Sequence, residues 1–102
     1  MPRLRLSPEV RHGQILDAAL NVAAKVGYQR MTRDQIAAAA GASPAAINQR
    51  FSTMTMLRRD VMRAAIARGV VAVVAQGLAD GNAYAKKAST ELKQQAAALL
   101  CK

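Results

Sequence analysis

Apolar positions recur at helical steps from the start of the chain. Val10, Leu16, Ala19, Leu20, Ala23 and Val26 form one stripe, which Ile15 and Val22 widen, and Gly27 follows it as a stop. Ser7, Pro8 and Glu9 suit the opening of this helix: a hydroxyl that can cap, a proline pre-shaped for the first position, and a carboxylate at the positive end of the helix dipole. Thr32 and Gln35 have the spacing of a capping box, which predicts a second, two-turn helix that carries Ile36 and Ala37 inward and ends at Gly41. Ser43 and Pro44 then supply a cap and a first-turn residue, so a third helix runs from Pro44 to about Phe51 after a tight turn. Ile47 and Phe51, four apart, face inward. Pro44, Ala45, Asn48 and Gln49 point away from that pair.

Ser52 or Thr53 caps a fourth helix, expected to be long, from about Met54 to Leu78, with Leu57, Val61, Ala64 and Ala65 in one apolar row. Its later part, Val70 to Ala75, has no polar face, and a helix apolar all round must be buried all round. A strand is the competing reading of the valines, but it has no evident partner strand. In so small a chain such burial is hard to arrange in a monomer, so the expected cover is a second copy, with Val70, Val71, Val73, Val74 and Leu78, and Leu92 and Leu99, at the interface. Asp80-Gly81-Asn82 signals a turn, after which Tyr84, Ala88, Leu92, Ala96, Leu99 and Leu100 predict one final amphipathic helix. The expectation is an all-α fold: a three-helix helix-turn-helix unit, then a long helix and a C-terminal helix that form a dimer interface. The corresponding regions are a basic arm over 1–6, a helix-turn-helix unit over 7–53 and a helical dimerisation region over 54–102.

Composition supports helices and narrows the partners. Of the 102 residues, 23 are alanine and 3% are aromatic, which favours thin, closely packed helices over strands. The formal net charge of +9 draws polyanions to the surface, so nucleic acid is the leading partner, against the plainer reading of a merely soluble basic surface. One cysteine, Cys101, excludes an intramolecular disulfide and a thiolate zinc site. The single histidine, His12, reads as a surface residue, and the six acids are scattered, so no catalytic group, metal or cofactor is expected. No uncharged run approaches the roughly 20 residues that cross a bilayer, and the basic N-terminus lacks an apolar signal core. A cytoplasmic protein without membrane contact is expected.

Three short helices, the second and third joined by a glycine-containing turn, describe a helix-turn-helix. Ile15-Leu16-Asp17-Ala18-Ala19, Gly27-Tyr28, Thr32, Ile36-Ala37, Ala40-Gly41-Ala42-Ser43, Ile47, Phe51 and Leu57 stand in unbroken order over about residues 10 to 61. In this the chain resembles the DNA-binding domain of TetR-family transcriptional regulators. The resemblance implies that the third helix enters the major groove, that the second helix and the start of the fourth touch phosphates, and that the protein acts as a two-fold dimer. On these positions Thr32, Arg33, Ser43, Arg50 and Thr53 are the expected phosphate contacts. Groove chemistry bears on the first point separately, since the amides of Asn48 and Gln49 can pair bidentately with adenine and the surfaces of Pro44 and Ala45 can meet a thymine methyl. An ordinary solvated face is the alternative for the two amides.

The chain also departs from the family pattern. Ala45 and Asn48 stand where the family usually carries glycine and an aromatic residue, and Met54 stands where a phosphate-binding lysine usually opens the next helix. Arg33, Arg50, Arg3 and Arg5 can compensate, because phosphate affinity depends on nearby cations more than on their order in sequence. The arm bearing Arg3 and Arg5 has three readings: a minor-groove contact, a strand against another chain, or disorder. Some 40 residues after Val61 are few for the sizeable ligand-enclosing domain that family members usually carry, so no small-molecule ligand is expected. The resulting expectation is a homodimeric repressor on a palindromic double-stranded DNA operator, in a minimal form of the family or as part of a longer regulator. The alternative is an interaction protein that heterodimerises with another DNA-binding protein through its C-terminal helices.

Overall fold

The computed structural model describes residues 8–100, which form helices α1 (Pro8–Val26), α2 (Arg33–Ala40), α3 (Pro44–Arg50), α4 (Met54–Arg68), α5 (Val71–Asp80), α6 (Ala83–Lys86) and α7 (Thr90–Leu100). The fold is all-α, as the periodicity predicts. The proposed cap Ser7, the arm residues Arg3 and Arg5, and Cys101 lie outside the described residues. Ile15, Ala18, Ala19, Leu20 and Ala23 make the buried face of α1, while Val10 and Val26 at the ends of the expected stripe are exposed. α1 packs on α2 and α4, and α2 on α3.

The expected long fourth helix is two helices. α4 ends at Arg68, where Gly69 takes a left-handed conformation (φ 69°) and its N–H bonds the Ala65 and Ile66 carbonyls, while the Val70 N–H reaches the Ala65 carbonyl at 2.8 Å. Only glycine adopts that geometry without steric cost. The chain turns back at this point, and α5 packs against α4, α1, α6 and α7. Val73 and Val74 are fully buried and Leu92 is nearly so, all inside one chain; Val70, Val71 and Leu78 are half-buried against the same core. The expectation that Val73, Val74 and Leu92 meet a second copy is therefore corrected: these side chains find their cover within the chain, because the break at Gly69 brings α5 against α1, α4, α6 and α7, while Ala72 and Ala79 stay exposed. The final helix is likewise two pieces. Asn82 caps α6, Ser89 accepts from the Leu92 N–H at 3.2 Å as α7 begins, and Tyr84 lies exposed on α6 and not on the α7 stripe.

Small residues allow this crowding. Ala65, Ala75, Ala85, Ala88 and Ala96 are buried in a single apolar cluster that runs without interruption from Ile15 to Ala96, and no polar or charged residue among those described is fully buried. The closest approach is at Gly77 of α5, where an added Cβ would stand 2.8 Å from the Ala85 Cβ and 2.6 Å from the Met62 Cε. Met62 can swing aside. The Ala85 Cβ is fixed to the backbone of α6 and cannot.

Hydrogen bonds tie α5 to the turn after α1. The Gln76 amide spans the joint, its Nε2 donating to the Ala23 carbonyl at 2.8 Å and its Oε1 accepting from the Tyr28 N–H at 2.9 Å. The Tyr28 hydroxyl and the Gln29 Nε2 both donate to Asp80 Oδ2 at 2.7 Å. Arg68, at the end of α4, pairs with Asp17 on α1. The two donors on Asp80 favour its ionised form and hold its carboxyl below the usual value of 3.8. Burial of the Tyr28 phenol, together with its bond to Asp80, pushes its pKa above 10.0.

Two predictions follow from this packing. Gly77→Ala should destabilise the protein by about 1–3 kcal/mol through overpacking, whereas Gly13→Ala, on α1 with open space where a Cβ would go, should stabilise it by about 0.4–1 kcal/mol. Urea unfolding of the two variants measures both, and shifts of the same sign would contradict the packing at Gly77. For Asp80, whose folded pKa is lowered, the stabilisation is present above the unfolded value and lost as pH falls through the folded one. For Tyr28, whose folded pKa is raised, it is fully present below about pH 10 and lost as pH rises through the raised value. Asp80→Asn should thus be less stable than the parent at pH 6 and converge with it in strong acid; a constant gap at every pH would show that the carboxylate charge is immaterial.

Candidate nucleic-acid interface

Helices α2, α3 and α4 are each fixed at the N-terminus by a side-chain cap. Thr32 Oγ1 accepts from the Gln35 N–H at 3.2 Å and Gln35 Oε1 from the Thr32 N–H at 3.0 Å, the reciprocal pair that the spacing predicts. Ser43 Oγ accepts from the Ala46 N–H at 3.2 Å, and Thr53 Oγ1 from the Met56 N–H at 3.1 Å. Between α2 and α3, Gly41 is left-handed (φ 65°) and the Ala42 N–H bonds the Ala37 carbonyl at 2.9 Å, so the chain reverses within three residues. The three hydroxyls are acceptors in these caps. Their own O–H groups stay free to donate outward, the polarity a phosphate oxygen requires.

Two side chains hold α3 to the molecule. Ile47 is 0% and Phe51 1% exposed, while Pro44, Ala45, Asn48, Gln49 and Arg50 are all exposed. Neither amide, nor the Arg50 guanidinium, has a side-chain partner among the described residues, so their hydrogen-bonding groups are open to solvent. The ring of His12 packs on Phe51 with centroids 4.8 Å apart, joining the start of α1 to the end of α3. His12 is thereby half-buried, where the sequence suggested a surface residue. Arg33 is half-buried and donates through Nη2 to the Ser52 carbonyl at 3.2 Å, which binds the first turn of α2 to the connection before α4. Thr32, Ser43 and Thr53 are exposed. Met54, at the position where a lysine was expected, is half-buried against the core and contributes packing.

Charge on this face is not neutralised from within. Among the described residues the ion pairs are Arg59 with Asp60 and Arg68 with Asp17, neither of which involves α2 or α3. Of the expected dimer residues, Leu99 is exposed together with Leu100, while Val70, Val71 and Leu78 are half-covered and Val73, Val74 and Leu92 are internal. Sequence reasoning missed the joint between Gln76, Asp80 and the Tyr28 turn, because its partners lie some 50 residues apart and no periodicity links them. It also missed Arg58, whose Nε is buried without a hydrogen-bond partner among the described residues. Among those residues no helix is long and apolar enough to cross a membrane.

Residues 15–61, from the middle of α1 to the middle of α4, match the profile of a family described as bacterial regulatory proteins, tetR family. No curated protein and no solved structure matches the chain. The matched segment contains the Thr32, Ser43 and Thr53 caps, the Gly41 turn and the Ile47 and Phe51 anchors. A helix of α3's diameter fits the major groove of B-form DNA, and its outward groups are donors and acceptors suited to base edges and phosphates. Over residues 15–61 the chain is thus similar to the N-terminal DNA-binding domain of the tetR family, a similarity that supports a DNA-binding transcriptional regulator.

Proposed function

We propose that the protein is a transcriptional repressor that binds a palindromic operator as a homodimer and acts in the cytoplasm by excluding RNA polymerase. The observation that supports this most directly is α3 itself: anchored by Ile47 and Phe51, it presents Pro44, Ala45, Asn48 and Gln49 outward with no internal partner for either amide. In this reading those four residues meet base edges. Thr32, Arg33, Ser43, Arg50 and Thr53 meet phosphates on either side, and Arg3 and Arg5, outside the described residues, are the proposed minor-groove contacts. Residues 7–53 read DNA and residues 54–102 hold the dimer.

The dimer surface in this proposal is the part of the C-terminal region still exposed or half-covered: Val70, Val71 and Leu78, with Leu99 and its neighbour Leu100. Two α3 helices held by one dimer meet the major groove on one side of the duplex, so their half-sites lie about 10 base pairs apart or a multiple of that. No enclosed ligand chamber forms part of the reading. The cleft beside Gln76 and Asp80, for example, is an open groove.

Contacts to bases and to phosphates should separate by mutation. Asn48→Ala or Gln49→Ala should cost about 1–3 kcal/mol on the operator and little on random DNA, while Arg50→Ala should weaken both. Electrophoretic shifts on the two kinds of duplex measure this, and equal losses on both for all three variants would contradict the assigned roles. Assembly has its own test: Leu99→Glu, at a side chain already in solvent, should leave the fold intact and yield monomers in sedimentation with at least tenfold weaker operator binding. A monomer that retains full operator affinity would remove the dimer from the mechanism.

A further inference from the structure

Where the turn after α1 meets α4 and α6, the surface opens into a cleft of about 330 Å³, at the lower end of the range for small-molecule sites. α4 contributes Thr55, Arg58 and Arg59, the turn contributes Tyr28 and Gln29, and α6 contributes Tyr84 with its cap Asn82. Two guanidinium groups line it and no carboxylate does. Arg59 pairs with Asp60, and Asp80 is occupied by Tyr28 and Gln29, so Arg58 is the cation in the cleft that has no acid partner among the described residues.

The arrangement of Arg58 is incomplete. Its Nη2 makes one long bond, 3.4 Å, to the Gln29 carbonyl, and its Nε is buried with no acceptor. Buried donors are nearly always paired in folded proteins, so a side chain held this way gains by turning its planar fork toward an anionic oxygen in the cleft. The remaining lining is also rich in donors. Asn82 Oδ1 already accepts from the Tyr84 and Ala85 N–H groups, which leaves its NH₂ to donate, and Thr55 and Tyr84 add hydroxyls. Tyr84 is 40% exposed, unusual for so large a ring, and offers a flat apolar surface beside the charge.

We propose that this cleft is a binding site for a small carboxylate with a flat apolar body, its oxygens taken bidentately by Arg58 and its body laid on the ring of Tyr84. A carboxylate suits the site better than a phosphate dianion, since one unpaired guanidinium and several neutral donors balance a single charge. No residue of α3 lines the cleft, and its occupancy can be measured without DNA.

Titration of the full chain with sodium benzoate, followed in nitrogen–proton correlation spectra against sodium chloride at equal ionic strength, tests the assignment. Benzoate should move the Arg58 Nε–H signal and the amides of Thr55, Asn82 and Tyr84 saturably, and chloride should not. Arg58→Lys should weaken binding at least tenfold, because an ammonium cannot reproduce the bidentate fork. Tyr84→Ala, at an exposed ring, should weaken it several-fold while the Arg58 signal still responds, and it serves as the test should Arg58→Lys fail to fold. Shifts matched by chloride, shifts spread evenly over all arginines, or an equal response to inorganic phosphate would overturn the proposal. So would an Arg58 signal that moves with a DNA duplex and not with benzoate, which would assign the cleft to the DNA surface.

Discussion

The apolar run that opens α5 must be taken out of water, and burying Val73, Val74 and Ala75 is the requirement on which the rest of this small chain depends. Val73 and Val74 are sealed at its centre by α1, α4, α6 and α7, and the helices reach one another only because the positions between them are alanine or glycine. The left-handed Gly69 makes the arrangement possible by ending α4 and returning the chain on itself. With the valines satisfied internally, the C-terminal helices become a cover for the DNA-binding unit as well as a candidate surface for a second copy. One apolar cluster then spans both halves, and the Gln76 and Asp80 hydrogen bonds fasten its edge to the turn that leads into α2.

How much of this was legible in the sequence depended on the range of the interaction. The Thr32–Gln35 box, the Ser43 and Thr53 caps, the Gly41 turn and the Ile47–Phe51 anchor are all decided within a few residues, and each appears in the structure as the spacing predicts. The break at Gly69 was also a local signal, a glycine directly after a basic last turn, but the apolar run from Val70 concealed it because hydrophobicity seemed to continue the helix. Ser89 is a similar case, a cap that divides what reads as one stripe into α6 and α7. The Tyr28–Asp80 bond and the unpaired Arg58 could not be read at all. Their geometry exists only once elements distant in sequence have packed, and nothing in residue type alone distinguishes Arg58 from Arg59 or Arg63.

Polar chemistry in the described chain is confined to its surface and seams. No polar residue there is fully buried, so the interior supplies shape and the exterior supplies specificity. The capping hydroxyls illustrate the economy of a short chain: Thr32, Ser43 and Thr53 each close a helix with an oxygen lone pair and keep a proton available for a partner. Met54 and His12 show the opposite allocation. Both stand next to the turn unit with side chains that could have faced solvent, and both are used to hold helices together.

The seven residues of α3 divide sharply between anchor and display, and this has a consequence for how such a protein can change. Exchanges on the exposed side, at Ala45, Asn48 and Gln49, leave the core contacts of Ile47 and Phe51 untouched, and surface substitutions of this kind usually alter stability by no more than about 0.5 kcal/mol. On the proposed readout by α3, preference for one DNA sequence over another can therefore drift or be selected without passing through unfolded intermediates. For the same reason α3 is a natural position for a randomised library: four or five variable side chains on a scaffold whose folding does not depend on what they are.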